Sequence, residues 1–375
     1  MSKHHAVEPN ARNPTFSVTW AVTLKCNLDC SYCGKTGHNN ALPHPPLDEC
    51  KQTIDFLVQY IDLYMMKKSL SDRYVAVNIF GGESLFHPNI VEILNYFEEK
   101  YQPYKDKWSM GLNTISNVVV KDKIWNKIVD KFNFWTVSYH IESTTEQQAL
   151  VRKNILDLKQ RNKKFHVSLL MHPKYWKECL ETIEWCNTHQ VKVLPRQIDH
   201  HWNQFQYWYS KDQAEWMRGF HSSGHTNKDC GSCNKPTLEQ KVKFVKESVI
   251  KFVNLNDEGR QCCGGASLHV DQDYANSQTH VDNTFKGWSC SVNYFFVYVD
   301  QTTKEIFVNK DCQVNFEGKV GPIGYTDNYQ PVLDNVLTAP TITCVKKRCL
   351  CGICTPKSST KEEYDTIIKK YLCTP

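Results

Sequence analysis

FSVTWAVTLKCNLDCSYC (residues 16–33) runs from an apolar, β-rich stretch straight into three thiols, Cys26, Cys30 and Cys33, spaced by three residues and then two. The stretch from Phe16 to Leu24 reads as a buried strand. Downstream the hydrophobic period switches repeatedly between 2 and 3.6. An amphipathic segment from Leu47 to about Lys68 is followed by YVAVNIF (residues 74–80), a buried strand, and then by NIVEILNYFEEKY, a helix. Strand WSMGLNTI, helix KDKIWNKIVDKF, strand FWTVSYHI and helix TEQQALVRKNILDLKQR come next, then strand FHVSLLMH, helix WKECLETIEWCNTH and strand VKVLPRQI. Six β/α units result. Parallel strands need such crossover helices, and right-handed crossovers curl the sheet into a full or partial barrel. In such folds chemistry collects at the C-terminal ends of the strands. The thiol loop lies at that end of the first strand, and Gly81-Gly82-Glu83 at that end of the second.

Composition narrows the class. The 375 residues are 41% hydrophobic, 23% charged and 12% aromatic, the balance of a globular chain with a substantial core. No apolar run reaches membrane-spanning length and the opening residues lack the apolar core of a secretory signal, so a cytoplasmic protein is expected. The formal charge of +5 is dispersed, too mild to point to nucleic acid. Seventeen cysteines stand out. In a long chain without a signal peptide, an odd count points to metal or iron–sulfur ligation rather than disulfides. Three lie near the start, Cys50, Cys179 and Cys186 are scattered, and eleven follow from Cys230 onward, which suggests two metal-binding regions.

The thiol loop and the Gly-Gly-Glu, in that order on successive strands, resemble the radical S-adenosylmethionine (SAM) enzymes over residues 16–200. That resemblance implies that Cys26, Cys30 and Cys33 hold three irons of a [4Fe–4S] cluster and leave the fourth for SAM. Electron transfer into the sulfonium then releases a 5′-deoxyadenosyl radical that takes hydrogen from the substrate. Tyr32 matches the aromatic that family members place beside the adenine. Gly81 and Gly82 allow close backbone approach, and Glu83 can accept from the SAM ammonium. Asn113, Ser116 and Ser138, read as strand ends, match polar contacts to the ribose and carboxylate, and Arg152 and Arg196 are candidate partners of the SAM carboxylate. Polar residues at strand ends also cap helices, and arginines also serve as solvated surface charges. A structural zinc loop is the alternative for the thiols, with His38 the near candidate for a fourth ligand.

Beyond residue 200 the pattern changes. Trp202, Phe205, Tyr207, Trp208, Tyr209 and Trp216 form a dense aromatic segment suited to packing or stacking. His200 and His201 read as a hydrogen-bonded pair, and the CxxC of Cys230 and Cys233 carries no assignment. Cys262 and Cys263 precede two glycines; Cys290 and Cys312 bracket YFFVYVDQTTKEIFVNK, two strands and a turn; Cys344, Cys349, Cys351, Cys354 and Cys373 follow. This resembles the SPASM or shorter twitch extension of radical SAM enzymes, in which such cysteines hold one or two auxiliary iron–sulfur clusters. The usual glycine before the second hairpin cysteine is missing, and CVKKRCLCGIC is more tightly spaced than the family run. By order, Cys290, Cys312 and Cys354 with Cys262 or Cys263 would share one cluster, and Cys344, Cys349, Cys351 and Cys373 a second, with zinc as the alternative.

The expected architecture is an α/β chain. A partial (β/α)6 TIM-like barrel (16–205) follows an N-terminal extension (1–15), and an aromatic-rich connector (206–260) leads to a smaller cysteine-rich α+β domain with a β-hairpin (261–375). The resemblance implies modification of a peptide or protein, or oxidation of a small molecule, with flavodoxin or ferredoxin as electron donor. About 15 residues precede the first strand, which argues against a fused leader-peptide-binding domain. An RNA-modifying radical SAM enzyme is a rival without a visible RNA-binding module. A non-catalytic zinc or iron–sulfur protein would explain the cysteines but not the barrel pattern.

Overall fold

The computed structural model describes residues 6–7, 16–33, 38–66, 73–198, 209–224, 286–290, 292–310, 312–338, 341–345 and 357–369. Strands β1 (Ala6–Val7) and β2 (Phe16–Thr23) open the chain. Helix α1 (Leu47–Met65), β3 (Tyr74–Gly81), α2 (Ile90–Tyr101), β4 (Ser109–Ser116), α3 (Asp122–Ile128) and β5 (Phe134–Tyr139) follow. Then come α4 (Thr145–Gln160), β6 (Lys164–Leu170), α5 (Trp176–Thr188), β7 (Val193–Arg196) and α6 (Lys211–Gly224). The C-terminal part contributes β8 (Ser289–Cys290), β9 (Phe296–Asp300), β10 (Glu305–Phe307), β11 (Gly324–Tyr325), α7 (Gln330–Thr338), β12 (Ile342–Thr343), β13 (Lys357–Ser358) and α8 (Lys361–Lys369).

A nine-stranded sheet in the order β11-β10-β9-β2-β3-β4-β5-β6-β7 organises the molecule. Strands β2 to β7 pair in parallel, each joined to the next by a helix, as the alternating periods require. Alternation along each strand divides the sheet's two faces. Phe16, Val18, Trp20 and Val22 of β2, with Val75, Val77 and Ile79 of β3, are buried in the principal core, together with Ile54, Leu57 and Ile61 of α1 and Ile93 and Phe97 of α2. Phe16 stacks on Tyr64 at 4.0 Å between centroids, and Trp135 meets Trp125 and Phe132. The opposite face carries a small apolar cluster of Ala21, Phe80, Tyr298 and Phe307 and, further along, polar side chains. There Asn113 Nδ2 donates to Asn78 Oδ1 (3.2 Å) and Asn78 Nδ2 to Ser17 Oγ (2.9 Å), a chain across three strands. Helix α4 starts at a capping box, with Thr144 Oγ1 accepting from Gln147 N and the Gln147 side chain accepting from Thr144 N.

The hairpin read between Cys290 and Cys312 is β9–β10, antiparallel as expected. It extends the barrel sheet itself: β9 lies parallel to β2, with Trp20 opposite Val299 and Ala21 opposite Asp300. Strand β2 would otherwise present an open edge of unpaired backbone groups. Trp20 Nε1 donates to Gln301 Oε1 at 3.0 Å, fully buried, and locks this register. A four-stranded sheet, β1-β13-β8-β12, sets Ala6–Val7 beside Lys357–Ser358. Tyr209 and Trp216, from the aromatic segment, are buried in the core: Tyr209 Oη donates to Met171 O (2.6 Å), and Trp176 meets Trp216 edge-on at 5.4 Å. His200, His201, Trp202, Phe205, Tyr207, Trp208, Cys230 and Cys233 lie outside the described residues. No helix among the described residues is long and apolar enough to cross a membrane.

Candidate functional site

The thiol loop leaves β2 at the C-terminal rim of the barrel and is held from the neighbouring strands. Cys26 N donates to Asn40 Oδ1 (2.8 Å), and Leu28 N points at Cys26 Sγ (3.4 Å). Asn27 is fixed on both ends of its amide: Oδ1 accepts from Asn117 Nδ2 (2.7 Å) and Nδ2 donates to Val119 O (3.0 Å). Between the last two cysteines, Ser31 N donates to Glu142 Oε2 at 2.8 Å. His172 Nε2 faces Glu142 Oε1 and Ser31 Oγ, both at 3.5 Å, while His172 Nδ1 accepts from Lys174 N. Tyr32 is buried, and its Oη lies 2.6 Å from His140 Nδ1, which is also 3.5 Å from Cys30 Sγ. Burial lowers the His140 pKa to about 4, so the ring is neutral at ordinary pH.

Burial pushes Cys26 and Cys30 up to about 12 and raises Cys33 as well; the charges of Cys26 and Cys33 raise Cys30 further, and Lys310 opposes the rise at Cys33. Thiols in that state are protonated and unreactive by themselves. They become thiolates when a cationic centre takes them, and three mutually interacting sulfurs, two of them, Cys26 and Cys30, with hydrogen-bond donors facing them, suit ligation by separate irons of one cluster. His38 Nε2 is directed at Asp29 Oδ1 (3.7 Å). Among the described residues, no group of three or more His, Cys, Asp or Glu side chains closes on a single metal-ion position.

The Gly-Gly-Glu segment is packed against this loop. Gly82 N donates to Thr23 O and Glu83 N to Lys25 O, each at 2.8 Å. A Cβ at Gly81, whose φ is +151°, would collide with Thr23 O, and one at Gly82 would stand 2.5 Å from Leu24 O and Lys25 O. Only glycine allows the two segments this approach. Glu83 is 2% exposed, and its carboxylate gathers three donors: Leu85 N (3.0 Å) and Ser116 Oγ (2.8 Å) on Oε1, and Asn117 N (2.6 Å) on Oε2. Burial raises its pKa to about 7 against the opposing pull of these bonds. Glu83 therefore ties the end of β3 to the end of β4, and through Asn117 to Asn27 in the thiol loop.

The other candidate residues separate. Ser116 ends β4 and is engaged on Glu83 and on Val118 N (2.9 Å). Asn113 sits inside β4, bonded to Asn78 on the face away from the principal core. Ser138 of β5 lies opposite Ser168 of β6, and Arg196, at the end of β7, is exposed. Arg152 is not brought to the loop. Its Nε donates to Tyr139 Oη (3.2 Å) and its guanidinium covers the Trp185 ring at 5.2 Å, within the helical layer. Asn27, Asn117, His140, Glu142 and His172 went unread in the sequence, although the last four follow closely on the ends of β4, β5 and β6. That position is the signal that would have found them.

In the C-terminal part, Cys290, Cys312 and Cys344 are described, and all three are buried. Cys290 and Cys312 share a small apolar cluster with Val292, Val308, Val314 and Ile342. Ile342 pairs with Cys290 across β12 and β8, and Cys344 N donates to Trp288 O (2.9 Å), so Cys344 continues the strand beside Cys290. Cys262, Cys263, Cys349, Cys351, Cys354 and Cys373 lie outside the described residues.

No protein-family model matches the chain. The structure superposes on native anSMEcpe with bound AdoMet and Cp18Cys peptide at a TM-score of 0.51 and 10% identity, covering 96% of each chain. It also aligns with Streptococcus suis SuiB bound to precursor peptide SuiA at a TM-score of 0.49 and 12% identity, covering 87% of this chain and 65% of that one. In sequence, 84 residues are 30% identical to the antilisterial bacteriocin subtilosin biosynthesis protein AlbA of Bacillus subtilis, 22% of this chain and 16% of that protein. A further 28% identity over 105 residues relates it to the uncharacterized protein MJ0907 of Methanocaldococcus jannaschii, 28% of this chain and 32% of that protein. The matched stretches thus span well under half of either curated relative. At 10% identity the likeness to anSMEcpe is one of fold, and it runs over nearly the whole of both chains.

Proposed function

We propose that this chain is a radical SAM enzyme that modifies a peptide, with Cys26, Cys30 and Cys33 holding a [4Fe–4S] cluster. The observation that carries the reading is the clamped thiol loop at the C-terminal rim of a parallel barrel, with Cys30 buried, Cys26 and Cys33 half-buried beside it, and Asn27, Ser31 and Tyr32 tied to residues that follow the ends of β4 and β5. When bound, the cluster and SAM supply a 5′-deoxyadenosyl radical for hydrogen abstraction. The chain's own contribution is placement: Tyr32 for the adenine, the Gly81-Gly82-Glu83 rim for the methionine end, and Ser138 and Arg196 for polar groups of SAM or substrate. Burial of the loop around Cys30 and Tyr32 keeps bulk water from the reacting centre. Cys290, Cys312 and Cys344, with Cys262, Cys263, Cys349, Cys351, Cys354 and Cys373, are proposed to hold one or two auxiliary clusters.

A peptide is favoured over a small molecule because the solved structure of similar fold carries a bound peptide, and a curated relative acts in bacteriocin biosynthesis. Flavodoxin or ferredoxin in the cytoplasm would supply electrons. The test is anaerobic reconstitution with iron and sulfide, followed by an assay for deoxyadenosine from SAM under reduction. Mass spectrometry of peptides encoded beside the gene reads the modification. Reconstituted protein with a full cluster and no SAM cleavage would overturn the reading.

A further inference from the structure

Cys30 differs from its neighbours in what faces its sulfur. Cys26 Sγ meets a backbone N–H, from Leu28 at 3.4 Å, and the distant amide of Asn117 at 3.9 Å. Cys30 Sγ instead faces two side chains that also bond each other: the Tyr32 hydroxyl and His140 Nδ1. The Tyr32 and His140 rings lie nearly parallel, 14° apart, with centroids at 6.0 Å. Tyr32 is fixed by the loop and His140 by the end of β5, so this contact joins the loop to the sheet. A proton on Nδ1 lets His140 donate to Tyr32 Oη, which leaves the Tyr32 hydroxyl to donate to Cys30 Sγ.

We infer that His140 and Tyr32 form a hydrogen-bond relay onto the Cys30 sulfur that raises the reduction potential of the cluster held by Cys26, Cys30 and Cys33; the inference rests on the proposed function. Reduction adds one electron to the cluster and increases the negative charge carried by its thiolate sulfurs. A donor aimed at one of those sulfurs stabilises the reduced state more than the oxidised one. Tyr32 thus acts through its hydroxyl as well as its ring face, and His140 acts as a positioning residue through Tyr32.

The experiment is a potentiometric titration of the anaerobically reconstituted full-length chain, read by electron paramagnetic resonance of the reduced cluster, with iron and sulfide measured on each sample. Tyr32→Phe keeps the ring and removes the donor, and is expected to make reduction about tenfold less favourable, a fall of about 59 mV for a one-electron couple. His140→Phe is expected to lower the midpoint in the same direction, and His140→Asn, which keeps a donor near the Nδ1 position, to recover most of the loss. A role confined to holding the loop would change cluster content and leave the midpoint where it was. Full clusters with the wild-type midpoint in both Tyr32→Phe and His140→Phe overturn the inference alone. Wild-type protein that assembles no cluster on Cys26, Cys30 and Cys33 overturns the function on which it rests.

Discussion

Replacing Glu83 by Gln tests whether this carboxylate is a structural clamp in the absence of any ligand. The substitution keeps shape but offers one acceptor oxygen where the carboxylate has two. With that oxygen toward Leu85 N and Ser116 Oγ, the amide nitrogen faces Asn117 N, donor against donor. The orphaned Asn117 N–H costs about 1–3 kcal/mol, and two bonds to a charged acceptor become neutral ones at a loss of about 1 kcal/mol each. Opposing this, the wild-type carboxylate ionises only above about 7 in its buried site, against an ordinary value of 4.5. Its folded pKa is raised, so the folded protein binds the extra proton between those values. Stability from this group is highest below the unfolded pKa and is lost as pH rises through the folded one. The lost increment is about 3–4 kcal/mol at full ionisation, of which about 2–3 kcal/mol falls between pH 5 and pH 8. The amide of the Glu83→Gln variant has no such dependence. Urea unfolding followed by tryptophan fluorescence at pH 5 and pH 8 should therefore show wild type gaining about 2–3 kcal/mol over Glu83→Gln on moving to pH 5. An equal gap at both pH values, or one that widens at pH 8, would refute the buried-clamp account.

Other outcomes follow from the same contacts. Gly82→Ala drives a methyl into Leu24 O and Lys25 O and should cost at least ~2 kcal/mol, measured as a lowered urea midpoint. Gln301→Leu removes the acceptor of the buried Trp20 indole and should cost about 1–3 kcal/mol; an unchanged midpoint would mean the hairpin is not locked to β2 by this bond. Changing Cys26, Cys30 and Cys33 together to Ala should abolish deoxyadenosine formation while the C-terminal cysteines retain iron and sulfide on reconstitution. Undiminished SAM cleavage would sink the loop assignment, and zinc without sulfide would make the C-terminal part a zinc module.

How much of this was legible in the sequence follows from the range of each interaction. Strand and helix positions from Phe16 to Arg196 are written in short periods, because alternating burial on a strand and 3.6-residue burial on a helix are local consequences of geometry. The thiol loop was equally plain, its spacing and its place after a strand both being contiguous features. Tertiary structure alone decided what surrounds that loop. Glu142, His140, His172 and Asn117 reach it from positions 90 to 141 residues away in sequence. Arg152 points the other way because its position on α4 faces Tyr139 and Trp185, a choice made by the helix's rotation against the sheet. Asn113 falls inside β4 because that strand continues to Ser116. The largest gap is the hairpin: β9 completes the sheet beside β2, and Trp20 finds Gln301 across 281 residues. A strand's own residues mark it as a strand and mark its buried face. They do not name its neighbour, since backbone hydrogen bonds are the same for every partner and only the packed core selects among them.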